Sequence, residues 1–258
     1  MKRDDLAQWL DSYLDIHSYN DISLNGLQVE GSDDVRRIAV AVDSSLSTFE
    51  QAAQLGADML IVHHGLFWGK PLALSGMHLK RVRFLLEHNI SLYAAHIPLD
   101  AHQEVGNNWA LARLLGLADL TPFGEWRGKP IGVKGIFPNP LSLRDLASNI
   151  EERLGEMTGN KHRESVLVHA GGNLEIGSLA MISGGAAWDV VTAAEAGMDA
   201  FLTGEPKHEV FYEAFERGIN AIYAGHYMTE TVGVRFLAEK LKESFNLPYD
   251  FILLSTQL

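Results

Sequence analysis

The sequence has no cysteine. Disulfide frameworks, thiolate metal sites and thiol nucleophiles are therefore excluded, and any metal ion must be bound by histidine and carboxylate side chains. Long apolar runs are missing too, since none approaches the roughly 18 residues that a membrane helix requires. The first residues, Met1 to Asp5, turn acidic at once and lead into no unbroken apolar segment. We therefore expect no secretory signal, no membrane association and a cytoplasmic protein.

Positive charge is also scarce. The 258 residues hold 21 Lys and Arg against 33 Asp and Glu, which gives a formal net charge of −12. Nucleic acid is a possible partner but not a favoured one, because phosphate contacts need clustered cations. The apolar share of 47% is ordinary for a globular protein and excludes disordered and fibrous architectures. The length suits one large domain or two of ordinary size.

Strand-like apolar runs alternate with amphipathic stretches along most of the chain. This pattern predicts strands over residues 38–43, 57–64, 92–96, 130–137, 165–169, 178–183, 200–203, 221–224 and 249–254. It predicts helices over residues 4–14, 44–55, 78–88, 108–115, 143–154, 186–197, 210–217 and 229–244. Such alternation is typical of α/β folds, with mainly parallel sheets flanked by helices. A segment rich in proline and glycine, Pro122–Pro130, indicates a boundary between two lobes.

Two adjacent histidines, His63 and His64, end a predicted strand and are followed by Gly65. Ligands of parallel α/β sheets bind at the carboxyl ends of the strands. Neighbours on a flat strand point to opposite faces, so the alternative of one buried and one exposed histidine stays open. At a strand end that leads into a glycine turn, the pair can instead splay around one cleft. That geometry suits two metal ions better than one.

Two further elements place histidine and carboxylate groups at strand ends. Asp100 follows His96 in a loop after one strand, although it is also placed to cap a helix. His226 and Glu230 lie four residues apart after another strand, where a helical turn points both the same way and a surface pair is the alternative. Together with His63 and His64, these residues form a ligand set that suits two divalent cations. Zinc, iron, manganese and nickel all accept such ligands.

The elements VHHG, AHxxLDA and GHYxTE resemble those of the Nif-three-like family of dinuclear-metal proteins, also described as GTP cyclohydrolase type-two homologues. SLNGLQVEG, SGGA and TGEPKH add to the resemblance, which spans nearly the whole chain in the order of the family. The resemblance implies the metal ligands His63, His64, Asp100, His226 and Glu230. The chain departs from the family in reading AHIPLD for AHTNLD and GEPKHE for GDxKHH, which places Glu209 where the family has histidine.

The resemblance further implies two interlinked α/β lobes and a toroidal homohexamer. We expect a metal-site lobe over residues 1–125 and 221–258 and a second lobe over residues 126–220. The expected activity is a hydrolase that acts on a nucleotide or nucleobase ring, as in GTP cyclohydrolysis, with a metal-activated water as nucleophile. The alternative is a non-catalytic metal-binding ring that binds partner proteins or single-stranded nucleic acid.

Four further features have candidate roles, each with a plain alternative. His96 is predicted to act as general acid or base, or else to orient a ligand. Lys207 and His208 are predicted to hold a substrate phosphate or ring carbonyl, or else to lie at the surface. The SGGA segment, Ser183–Ala186, would cradle phosphate on its backbone N–H groups, although tight turns use glycine in any case.

Overall fold

The computed structural model describes residues 1–158 and 166–256 and forms two sheets flanked by helices. The strands are β1 (Gly26–Val29), β2 (Ile38–Asp43), β3 (Met59–His64), β4 (Ser91–Ala94), β5 (Ala118–Trp126), β6 (Lys129–Ser142), β7 (Leu167–His169), β8 (Glu175–Met181), β9 (Ala200–Thr203), β10 (Asn220–Tyr223) and β11 (Tyr249–Phe251). The α-helices are α1 (Arg3–Tyr13), α2 (Leu46–Gln54), α3 (Gly76–Glu87), α4 (Ile97–Ala101), α5 (Asn107–Leu114), α6 (Leu143–Thr158), α7 (Asp189–Glu195), α8 (Val210–Glu216) and α9 (His226–Phe245).

The first compact unit comprises residues 1–99 and 234–254 and contains the sheet β1-β4-β3-β2-β11. β1 runs antiparallel to β4, and the other three pairs are parallel. The central strands are apolar and buried, as the sequence predicts for strands covered on both faces. One core cluster joins Phe49 of α2 and Leu85 of α3 to Leu60 of β3, all fully buried. Burial of this apolar surface stabilises the sheet that carries the histidine pair.

The register of this sheet aligns the carboxyl ends of its central strands. Asp43 at the end of β2 pairs with His64 at the end of β3. Val62 pairs with Ala94 of β4, and the amide of Ala95 continues the ladder by donating to the carbonyl of Val62. Polar residues that follow these strands therefore meet at one edge, as expected for a parallel α/β sheet.

The second compact unit comprises the described residues of 100–233 together with residues 255–256 and contains the sheet β5-β6-β8-β9-β10-β7. β8, β9 and β10 pair in parallel, and the other three pairs are antiparallel. The α/β class is confirmed, and this second sheet is mixed because a long hairpin, β5–β6, forms one side of it. Residues 159–165 and 257–258 of the predicted lobes lie outside the described residues, and β7 begins at Leu167.

The segment Pro122–Pro130, predicted as a boundary, lies in this hairpin. Its turn has two residues with positive φ, Arg127 at 49° and Gly128 at 90°, the conformation that matches the twist of paired strands. Pro122 is tolerated because β5 is an edge strand. The compact units change over after Leu99, after Gly233 and again after Leu254, whereas the expected limits lay near residues 125 and 220.

Turn residues at helix ends follow the sequence prediction closely. Gly56, expected to end α2, has a φ of 69°, a left-handed conformation that glycine adopts without strain.

β1 and β5 were not predicted, because β1 is only four residues long and β5 contains proline and glycine. No helix in the described parts of the chain combines the length and the apolar character needed to cross a membrane.

Candidate metal centre

Three histidines of the first unit form a cluster at the carboxyl ends of β3 and β4. Ring nitrogens of His63, His64 and His96 all lie within 4.8 Å of one another. The rings of His63 and His64 have centroids 4.7 Å apart although the residues are neighbours on one strand. His63 is fully buried and His64 is half-buried, yet both belong to the cluster. The strand end therefore splays the pair around one point, as the metal hypothesis requires.

Each of these imidazoles is oriented through its Nδ1 atom by an oxygen. The acceptors are the carbonyl of Ala95 for His63 at 2.9 Å, Asp43 for His64 at 2.8 Å, and Asp21 for His96 at 3.0 Å. Carbonyl and carboxylate oxygens can only accept, so Nδ1 carries the proton in each ring. The lone pair then lies on Nε2, which is the atom that binds a metal ion in such an arrangement.

Asp21 is a buried carboxylate that the sequence motifs did not single out. It accepts hydrogen bonds from the amide of Ser23 and the side chain of Asn25, and Asn25 in turn accepts from the amide of His96. Burial raises the pKa of Asp21, but hydrogen bonding and charge from His96, with the bonds from Asn25 and Ser23, outweigh burial and lower it below its usual range. Asp21 therefore stays ionised and holds His96 in place. Only the neighbouring motif SLNGLQVEG pointed to this region.

The second unit holds two buried carboxylates that lie close together, Asp100 and Glu230. Asp100 lies inside α4 rather than at the helix cap that was its alternative role. Its Oδ1 atom accepts from Asn107 at 2.9 Å and from Ser183 at 2.8 Å, and the residue is 5% exposed. Carboxylate oxygens of Asp100 and Glu230 lie within 4.8 Å of each other. Two buried carboxylates this close repel unless a cation lies between or beside them.

His226 and Glu230 lie four residues apart in the first turns of α9 and face the same point. The distance from His226 Nε2 to Glu230 Oε1 is 3.0 Å, and His226 Nδ1 contacts Glu205 at 2.5 Å. Burial lowers the pKa of His226, but Glu230 and Glu205 outweigh burial and raise it to about 9. Carboxylates that favour a proton in this way also favour a divalent cation. Glu205, in the TGEPKH motif, was not predicted, because only Lys207 and His208 of that motif were assigned a role.

The SGGA segment packs against these groups, with Gly184 next to the Glu230 carboxylate. Backbone N–H groups of Ser183, Gly184 and Ala186 donate to the side chains of Asn108, Thr229 and Thr203. The predicted phosphate cradle is therefore wrong for these three amides, because each already donates within the protein. Gly184 has a φ of 67°, and a Cβ atom there would lie 2.5 Å from Glu230 Oε1. Glycine is required here for the carboxylate to keep its position.

Lys207 and His208 are both exposed in the turn that leads into α8. This position agrees with the surface alternative, and neither residue belongs to a group of potential ligands among the described residues. Glu209, where the family has a histidine, is exposed beside them. A substrate-binding role for Lys207 and His208 stays a prediction.

The fold and these clusters define a class: a two-sheet α/β protein with histidine and carboxylate groups suited to metal ions and no thiolate. Comparison with known families assigns the chain to one of them. The chain belongs to the Duf34/NIF3 (NGG1p interacting factor 3) family, whose model matches residues 1–257. The family resemblance seen in the sequence motifs is therefore confirmed.

Relatives match over nearly their whole length. A GTP cyclohydrolase 1 type 2 homolog of Deinococcus radiodurans is 50% identical over 256 residues, which is 99% of this chain and 94% of the relative. A protein of the same description from Archaeoglobus fulgidus is 41% identical over 98% of both chains. The crystal structure of TTHA1606 from Thermus thermophilus has a TM-score of 0.87 at 48% identity, and protein ybgI, of unknown function, has 0.90 at 37%; both comparisons cover all of each chain.

Proposed function

We propose that this protein is a dinuclear-metal-dependent hydrolase that acts on a nucleotide or nucleobase ring. The observation that carries the proposal is the set of donors. Three imidazoles have their Nδ1 atoms held by oxygen, and two buried carboxylates lie close together, with no thiolate in the sequence. Borderline metals such as zinc, iron, manganese and nickel take such nitrogen and oxygen ligands. The name of the relatives, GTP cyclohydrolase 1 type 2 homolog, suggests the substrate class.

In this proposal His63, His64, Asp100, His226 and Glu230 are the ligands of two divalent ions. Two divalent ions bound by these residues would lower the pKa of a bound water and so supply hydroxide near neutral pH. Asp43 and Glu205 orient His64 and His226 through their Nδ1 atoms, and the carbonyl of Ala95 does the same for His63. These contacts select the tautomer that each ligand needs.

His96 is the proposed proton-transfer residue. Asp21 accepts from its Nδ1 atom, so Nε2 is the atom that accepts a proton from water or returns it to a leaving group. Its ring lies 5.1 Å from that of His63 and 5.6 Å from that of His64, which places it beside the proposed ligands. Lys207 and His208 are proposed to meet the anionic part of the substrate, since both are exposed and one is a cation.

The test is turnover of a nucleotide panel. Protein purified without chelator and confirmed to hold metal should consume GTP or a related purine nucleotide, and His96→Ala should lower kcat by about a hundredfold or more. The metal content of His96→Ala should match that of the wild type if His96 transfers protons and does not bind a metal ion. Absence of turnover over the whole panel by metal-loaded protein contradicts the hydrolase proposal.

A second candidate is a non-catalytic ring that binds partner proteins or single-stranded nucleic acid. Exposed aromatic residues favour it, namely Trp188 directly before α7 and Phe211, Tyr212 and Phe215 on α8. The family description as an interacting factor points the same way. Binding to a labelled single-stranded oligonucleotide at two salt concentrations separates the versions, because phosphate contacts weaken steeply with salt. If the protein binds no oligonucleotide at either salt concentration, only the binding of partner proteins remains of this second candidate function.

A further inference from the structure

A segment next to the histidine pair is free of negative charge. Residues 65–86 contain Lys70, Lys80, Arg81 and Arg83 but no Asp or Glu, within a chain of net charge −12. None of these four cations forms an ion pair within the described parts of the chain. The segment comprises the loop after β3 and most of α3. A local concentration of unpaired cations attracts anions.

Two side chains of α3 point inward from this segment. His78, Arg81 and Leu85 follow the three- and four-residue spacing that places side chains on one face of a helix. Leu85 is fully buried in the core, and His78 and Arg81 are half-buried beside it. The ring of His78 packs edge-on against Phe67, with ring centroids 5.2 Å apart. The two nitrogen-bearing side chains are therefore held at the base of the loop rather than extended into solvent.

Both side chains bury a nitrogen that has no partner. Arg81 Nε and His78 Nε2 are shielded from solvent, and neither has a hydrogen-bond partner among the described residues. The Arg81 Nε–H can only donate, so its environment calls for an acceptor. Buried donors without acceptors are rare in folded proteins, and each one requires an explanation such as a bound ion.

We infer that His78 and Arg81 form a binding site for a phosphate group. A guanidinium presents its N–H donors in a planar fork that matches two oxygens of a phosphate, and a tetrahedral anion has further oxygens for the imidazole. The ligand class is inorganic phosphate or the phosphate of a small phosphomonoester. Neither residue is one of the proposed metal ligands, and the inference does not depend on the proposed hydrolase activity.

The experiment is calorimetric titration of the purified protein with inorganic phosphate and with ribose 5-phosphate. Arg81→Ala should weaken binding by about tenfold or more, because hydrogen bonds to a charged group are lost. Arg83→Ala is the matched control, since it removes the same charge from an exposed position of the same helix. It should change the affinity by less than about threefold, since its effect is a screened surface charge. Ribose 5-phosphate binding more tightly than phosphate identifies a sugar phosphate as the ligand.

A second variant tests whether a loss of phosphate binding results from misfolding. Arg81→Met keeps an unbranched stem, so it should retain the circular dichroism spectrum of the wild type. Phosphate should raise the unfolding temperature of the wild type and of Arg83→Ala but not of Arg81→Met, because a ligand stabilises only the state that binds it. Equal phosphate affinity in wild type and both Arg81 variants overturns the site, and so does equal weakening by Arg81→Ala and Arg83→Ala. Absence of phosphate and ribose 5-phosphate binding by the wild type overturns it as well.

Discussion

At the scale of single residues, the candidate metal-binding groups of each unit depend on side chains that orient other side chains. Asp43, Asp21 and Glu205 each hold one imidazole, and Asn107 and Ser183 hold Asp100. A ligand that is already oriented loses less conformational entropy when an ion binds. Substitutions at the ligands and at their supports should therefore lower metal retention by different amounts.

Glu230→Gln should lower the metal content per chain, above all for a second ion. Glutamine keeps the shape of the side chain but removes the negative charge that offsets repulsion between two cations. His226→Ala should act in the same direction by removing a donor nitrogen. Elemental analysis gives the metal content, and circular dichroism checks the fold. His88→Ala, at the exposed end of α3, is the control and should keep the wild-type content. Wild-type metal content in both site variants would remove α9 from the ligand assignment.

Gly184→Ala should lose metal because the new methyl group displaces the Glu230 carboxylate, which a Cβ atom would approach to 2.5 Å. Gly197→Ala is the matched control, since its φ of 71° imposes the same backbone strain while nothing lies within 4 Å of its Cβ position. Both variants should lose about 1–2 kcal/mol of stability from the left-handed backbone. Only Gly184→Ala should also fall in metal content. Equal metal content in the two variants would contradict the packing argument.

At the scale of elements, α5 and α9 are joined through one buried amide. Asn107, at the start of α5, donates to Asp100 and accepts from the backbone amide of Gly233 in α9. The side chain is fully buried, so no water can replace either bond. One residue thus couples the position of a proposed ligand to the helix that carries two others.

Asn107→Ala should destabilise the fold by about 2 kcal/mol or more, because it removes one of the hydrogen bonds to the buried Asp100 carboxylate and takes the Asn107 acceptor from the buried amide of Gly233. Metal retention should fall with it. Ser142→Ala removes the N-cap bond from the amide of Asp145 in α6 and should cost about 1 kcal/mol. The side-chain hydrogen bonds of Ser142 join it to Asp145 and, among the described residues, to no proposed ligand, so metal content should not change. Chemical denaturation and elemental analysis of both variants test the distinction, and unchanged metal retention in Asn107→Ala would count against the coupling.

At the scale of the whole molecule, the homohexamer that the family resemblance implies stays a prediction. We expect light scattering at micromolar concentration to give about six times the 28.5 kDa mass of one chain. Apolar side chains exposed on α8, Phe211, Tyr212 and Phe215, are available for such contacts. A mass near that of one chain would contradict the homohexamer.

The local sequence was enough to predict most elements and the candidate ligands. Apolar runs of four to eight residues that end in histidine, such as the one before Gly65, mark strand ends from pattern alone. The helix carrying His226 and Glu230 starts earlier than predicted, at His226 itself, so the two side chains lie within a continuous helix. β1 and β5 escaped prediction because short strands and edge strands with proline carry weak periodic signals.

What the sequence by itself determined is the set of donors. Because cysteine is absent and histidine and carboxylate residues follow the strands, any metal ion must be bound by nitrogen and oxygen. Tertiary structure alone decided which oxygen orients each imidazole. Asp21 lies 75 residues before His96, and Asp43 and Glu205 each lie 21 residues before their histidines. Their proximity follows from strand register and from loops folding back over strand ends, which are set by burial of the core as a whole. A one-dimensional pattern records which residues end a strand, but not which distant residue will lie beside them.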